Sequence, residues 1–107
     1  MSKKKIKNKI KVSDNLTISN KDKCFIVAEI SANHSGSLKI LKKTMLKAIK
    51  TGANAVKIQT YQAETMTLNV KNKHFLIDDK SIWKGKRLYD LYKQAETPFK
   101  WHKEIFK

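Results

Sequence analysis

The chain has 107 residues, 40% of them hydrophobic and 31% charged, and its 24 Lys and Arg against 9 Asp and Glu give a net charge of +15. That length suits one domain or part of one, and three Gly and one Pro exclude a collagen-like or low-complexity chain. No run approaches the ~20 apolar residues that span a bilayer.

The N-terminal MSKKKIKNKIKV is basic but lacks the apolar core and small-residue cleavage site of a signal peptide. A single cysteine, Cys24, cannot close an internal disulfide. Both features lead us to expect a cytoplasmic protein, with Cys24 an inert packing residue at the head of a strand. The charge invites a small basic module binding nucleic acid or an acidic partner. Arg87 is the only Arg, however, so bidentate base readout is nearly absent. The lysines are scattered among Ile and Asn, which reads as a solvated surface, and no nucleic-acid partner and no membrane are expected.

Residues 1–23 read as a basic tail and hairpin. Met1–Lys9 is Lys-rich and expected to fray. Ile10–Val12 and Leu16–Ile18 alternate apolar and polar around Ser13-Asp14-Asn15, which predicts a hairpin. Residues 24–107 form the second unit. Phe25–Ile30 is a continuous apolar run, the pattern of a strand buried on both faces in a helix-covered parallel sheet. Ser31-Ala32-Asn33-His34-Ser35-Gly36 is turn chemistry, with Ser35 or Ser37 placed to cap a helix. Leu38, Leu41, Met45, Ala48 and Ile49 mark one helix face over Ser37–Thr51, and Gly52 stands where a left-handed terminator belongs. Ala55–Gln59 completes a strand–helix–strand unit with parallel strands and a right-handed crossover.

Alternation puts Val56 and Ile58 on one face of the second strand, Lys57 and Gln59 on the other. Gln62–Asp79 is long and polar for a connection, and is expected to be an ordered site loop. Ser81–Gly85 is a turn, and Leu88, Leu91, Tyr92 and Ala95 mark a short amphipathic helix. Thr97-Pro98 reads as a helix start, Thr97 capping and Pro98 in the first position, with Trp101, Ile105 and Phe106 as the apolar face. The candidate site is Glu29, Asn33, His34, Lys57, Gln59 and Tyr61, near the C-terminal ends of two parallel strands, the edge where α/β folds bind ligands. A lysine there suits phosphate or carboxylate, and a glutamate suits proton handling or water activation. His34, His74 and His102 have no metal-ligand spacing, so no metal site is assigned.

Three blocks, FIVAEISANHSGSL, GANAVKIQTY and WKGKRLYDLYKQAETPFKWHKEIF, together resemble the N-terminal part of the sialic acid synthase family. The resemblance runs from Cys24 to Lys107. The third block, with its LYxLY and TPxxWH pattern, is most similar to the pseudaminic branch, as against the neuraminic and legionaminic ones. It implies the N-terminal portion of a (β/α)8 TIM barrel preceded by a small β-hairpin, in an enzyme that is usually a homodimer. Such enzymes condense phosphoenolpyruvate with an open-chain N-acetylated amino sugar, here a 2,4-diacetamido-2,4,6-trideoxy hexose, giving a nine-carbon nonulosonic acid and phosphate. Residue by residue, Lys57 matches the family lysine that meets phosphoenolpyruvate, Gln59 a residue near the sugar, and Glu29 an acidic residue of the same pocket. Asn33 and His34 match the polar turn after the first strand. The resemblance also implies a divalent metal, Mn2+ or Mg2+, whose ligands lie beyond this chain. A barrel needs about 250 residues, so the expectation is an incomplete synthase, inactive alone or completed by another chain.

Overall fold

The computed structural model describes residues 8–78 and 80–106, so Met1–Lys7, Asp79 and Lys107 lie outside the described residues. The architecture is mixed α/β, with two separate two-stranded sheets. Strand β1 (Lys9–Ser13) and strand β2 (Leu16–Ser19) form the expected antiparallel hairpin, turning at Asp14-Asn15 with a bulge before Ser13. Lys11 closes it with an ion pair to Asp14 at 2.7 Å.

Strand β3 (Val27–Ser31) and strand β4 (Ala55–Ile58) pair in parallel, with helix α1 (Leu38–Lys50) between them in sequence. The crossover unit therefore stands as the sequence pattern predicts. Ser37 caps α1, its hydroxyl accepting from the Ile40 N–H at 3.3 Å. The helix ends at Thr51, and Gly52 takes a φ of +106°, which a side chain would strain. Leu41 is fully buried and Ile30 nearly so, while Ile49, expected on the inner face, is exposed.

Two expectations about β3 are corrected. The strand begins at Val27 rather than Phe25, because the side-chain Oδ1 of Asn54 takes the Ile26 N–H at 2.9 Å and stands in for a ladder partner. It is also not buried on both faces. Helix α1 covers the face of Ala28 and Ile30, and nothing among the described residues covers that of Val27 and Glu29, leaving Val27 49% exposed. Cys24 is likewise exposed rather than packed.

The connection after β4 holds helix α2 (Ala63–Met66) and a 3-10 turn at Lys73–Phe75. Helix α3 (Leu88–Ala95) packs on α2 through Glu64, which accepts from the Tyr89 hydroxyl at 2.6 Å. A 3-10 turn, Phe99–Trp101, runs into helix α4 (His102–Ile105). Thr97 is not the cap expected there. It is buried, its hydroxyl is spent across the fold, and Pro98 stays extended at ψ 131°, so the helical turn starts later. Phe106, expected in the apolar face, is 79% exposed.

Candidate active site

Glu29 and Lys57 are register partners in the parallel pair, and both project from the face that α1 leaves open. The Lys57 ammonium donates to Glu29 Oε2 at 2.5 Å. The other carboxylate oxygen, Oε1, accepts from the Ser31 backbone N–H at 2.8 Å and the Ser31 hydroxyl at 3.1 Å. Ser31 holds a φ of +55°, a left-handed conformation rare outside glycine. The hydrogen bond from Lys57, and then those from Ser31, hold the Glu29 carboxyl below the usual carboxylate range against some desolvation. The result is an ionised acceptor beside an ammonium whose two other donors have no partner among the described residues. Such a pair can receive an anion on the lysine and leave the carboxylate to take a proton.

The loop after β3 is fixed from behind by His34, which is fully buried. Its Nδ1 accepts from the Gly36 N–H at 3.1 Å, which leaves the proton on Nε2. Nε2 donates to the Thr97 hydroxyl at 3.0 Å, and that hydroxyl donates to the Gln59 carbonyl at 2.9 Å. Trp101 meets the imidazole edge-on, ring centres 5.0 Å apart. Burial pushes the His34 pKa down, with the Ala95 backbone opposing. Both ring nitrogens are thus used inside the chain, and His34 ties the β3 loop to the end of β4 rather than facing solvent. Neighbouring Asn33 is exposed, and its amide N–H donates to the Ile30 carbonyl at 3.0 Å.

Beyond the ion pair, the ends of β3 and β4 open into a cleft of about 230 Å³. Asn33, Gln59 and Tyr61 line it together with Ser31, Trp83 and Tyr92. Tyr61 and Tyr92 meet edge-to-face at 5.8 Å, and burial, then the Tyr92 and Glu96 charges, raise the Tyr61 pKa. The Gln59 backbone N–H donates to the Ser31 carbonyl at 3.0 Å, while its side-chain amide has no partner among the described residues. Ser31 joins both halves, touching the Glu29 carboxylate and lining the cleft. The sequence reading missed Ser31, Tyr92 and Thr97. A small polar residue directly after a strand-end carboxylate was the available signal for Ser31. Nothing local marks Thr97, whose partners lie 63 and 38 residues away.

Among the described residues no group of three or more His, Cys, Asp or Glu side chains converges to hold a metal ion. The residues present do not fit the divalent metal that the resemblance implies. No described helix is long and apolar enough to cross a membrane.

The NeuB family profile matches residues 44–107, a span that holds Lys57, Gln59 and Tyr61. The chain is 48% identical over 84 residues to a pseudaminic acid synthase of Campylobacter jejuni, covering 78% of this chain and 24% of that protein. It is 44% identical over 81 residues to a pseudaminic acid synthase of Helicobacter pylori, covering 76% and 24%. It is also 46% identical over 43 residues to the N,N'-diacetyllegionaminic acid synthase of Legionella pneumophila, covering 40% and 12%. The chain thus spans about a quarter of the length of the pseudaminic acid synthases it matches. On the profile and these identities, the chain belongs to the NeuB family, the sialic acid synthase family of transferases in nonulosonic acid biosynthesis.

Proposed function

We propose that this chain supplies the phosphoenolpyruvate-binding edge of a pseudaminic acid synthase-type (β/α)8 barrel. The observation that carries the reading is the Glu29–Lys57 pair at 2.5 Å on the open face of two parallel strands. Lys57 binds the phosphate or carboxylate of phosphoenolpyruvate with its unused donors. Glu29, released from Lys57, handles a proton of the reaction or of the attacking water. In the condensation, C3 of phosphoenolpyruvate bonds to the sugar aldehyde carbon, whose oxygen takes a proton. Water then adds at C2, the C–O bond to phosphate breaks, and nonulosonic acid and phosphate are released. The sugar is a 2,4-diacetamido-2,4,6-trideoxy hexose in this proposal. A legionaminate-type sugar is the second reading, favoured by the 46% identity to the Legionella enzyme but over only 43 residues.

The 107 residues by themselves are proposed to bind phosphoenolpyruvate without turning it over, since they present two parallel strands where a barrel closes with eight. Cytoplasmic residence and homodimerisation belong to the same proposal, and no step is assigned to a metal. Calorimetric titration with phosphoenolpyruvate tests it. Binding is expected, weakened about tenfold or more in Lys57→Met, the loss of one charge-assisted contact. Glu29→Gln is expected to bind at least as well, because Lys57 no longer has an internal partner. Equal affinity of wild type and Lys57→Met would overturn the reading, and phosphate release by the isolated chain with both substrates would overturn its inactivity.

A further inference from the structure

The step from β3 into its loop is made by one residue in an uncommon conformation. Ser31 holds a φ of +55°, and it sits where the parallel register skips from Glu29 opposite Lys57 to Ser31 opposite Ile58, so that Ile30 is an extra residue in the strand. The turn carries the Ser31 N–H back onto its own strand, where it and the hydroxyl both donate to Glu29 Oε1, at 2.8 and 3.1 Å. The Ser31 carbonyl accepts from the Gln59 N–H at 3.0 Å, which pins the residue to the end of β4. Strain of this kind in a non-glycine residue persists where the surroundings impose it, and it gathers at functional sites. Glycine would adopt the turn without strain, but it has no hydroxyl to give to Glu29.

Lys57 approaches the carboxylate from the other side, donating to Oε2. The two oxygens are thus divided, one held by the turn of β3 and the other by the neighbouring strand. We infer that Ser31 is a positioning residue for the site, holding the Glu29 carboxylate by Oε1 so that Lys57 can turn from Oε2 to an incoming anion while Glu29 keeps its place. Without the hydroxyl, Oε1 would keep one donor, and the carboxylate would draw on the Lys57 donors that have no partner among the described residues. Lys57 would then be held more tightly and would turn to an anion less readily. The inference rests on the proposed function, in which the anion is phosphoenolpyruvate, and adds a residue that acts through Glu29 and Lys57.

Calorimetric titration of the full chain with phosphoenolpyruvate at pH 7.5 tests it, using Ser31→Gly and Ser31→Ala with Glu29 present and in a Glu29→Gln background. Both variants keep the N–H and lose the hydroxyl, but only alanine keeps the strain of the turn. Each is expected to weaken phosphoenolpyruvate binding about threefold when Glu29 is present, and to have no effect in the Glu29→Gln background. A merely structural Ser31 would weaken binding equally in both backgrounds, and that result would overturn the inference. So would a loss confined to Ser31→Ala, which would assign the effect to the turn rather than to the hydroxyl. A ligand-free measurement separates this inference from the function it rests on. In the NMR spectrum of the 15N-labelled chain, the Ser31 amide proton is expected to move upfield in Glu29→Gln, where a neutral acceptor replaces the carboxylate. If phosphoenolpyruvate binds through Lys57 while both Ser31 variants match wild type, the positioning role alone falls. If phosphoenolpyruvate fails to bind while the Ser31 amide responds to Glu29→Gln, the hold on the carboxylate stands and the proposed function falls. A Ser31 amide that does not respond to Glu29→Gln overturns the inference outright.

Discussion

Two side chains decide what the end of the sheet can do, and each is set by its partners rather than its type. Glu29 stays ionised because Lys57 and Ser31 supply three hydrogen bonds to its two oxygens. His34 stays neutral because Gly36 needs an acceptor and the pocket excludes water. That neutrality has a pH signature. The folded pKa of His34 lies below the 6.5 of an unperturbed imidazole, so the unfolded chain takes up its proton first. Stability is then fully present above about pH 6.5 and lost as pH falls through and below it. Glu64, held down to about 2 by the Tyr89 hydroxyl and Lys93, adds a separate loss that begins only below its ordinary 4.5. Urea melts at pH 7.5 and 5.5 are expected to show wild type less stable at the lower pH and His34→Gln insensitive over that interval. His34→Ala is expected to cost about 2–4 kcal/mol at pH 7.5, leaving a cavity and the Gly36 N–H without its acceptor. Sequence brought Glu29 and Lys57 to one edge correctly, through strand alternation. It listed His34 among the site residues while favouring local hydrogen bonding for a lone turn histidine; the bonds are there, but a polar turn shows no sign that one of its members is clamped by a threonine 63 residues on.

The crossover unit was legible because its signals are local. An apolar stripe at helical spacing, a serine before it and a glycine after it define α1 to within a residue at each end. These signals make their own predictions. Ser37→Ala removes the hydroxyl that accepts the Ile40 N–H and is expected to cost about 1 kcal/mol. Gly52→Ala must hold a side chain at φ +106°, at a cost of about 1–3 kcal/mol. Thermal melts followed at 222 nm check both, and Lys50→Ala, which touches neither device, is expected to change little. What local signals did not carry is substitution by side chains for backbone. Asn54 occupies the ladder position that would have extended β3, and Thr97 uses on Gln59 the hydroxyl that would have capped a helix. Both shift an element boundary through contacts distant in sequence, where periodicity has no information.

For the whole molecule, the dimensions are the finding. A compact chain of this length has a radius of gyration of about 13 Å, and this one measures 19.1 Å. Its surface of 9222 Å² exceeds the ~6100 Å² expected of a compact monomer of its mass. Among the described apolar residues only Ile30, Leu41 and Ala63 are buried, while Ile26, Val27 and Leu46 stay exposed. The open face of β3 and β4 and their edges, unpaired among the described residues, account for part of this excess, and they are what the proposed barrel would cover. The consequence of that open sheet is colloidal. At +15, copies of the chain repel one another, and this repulsion is expected to keep exposed strand edges apart in dilute buffer. Salt shortens the reach of the repulsion from about 30 Å at 0.01 M to about 8 Å at 0.15 M, while leaving the edges and the apolar face as attractive as before. Light scattering is expected to stay flat at low ionic strength and rise as sodium chloride approaches physiological concentration, with charge acting as the shield of an open sheet.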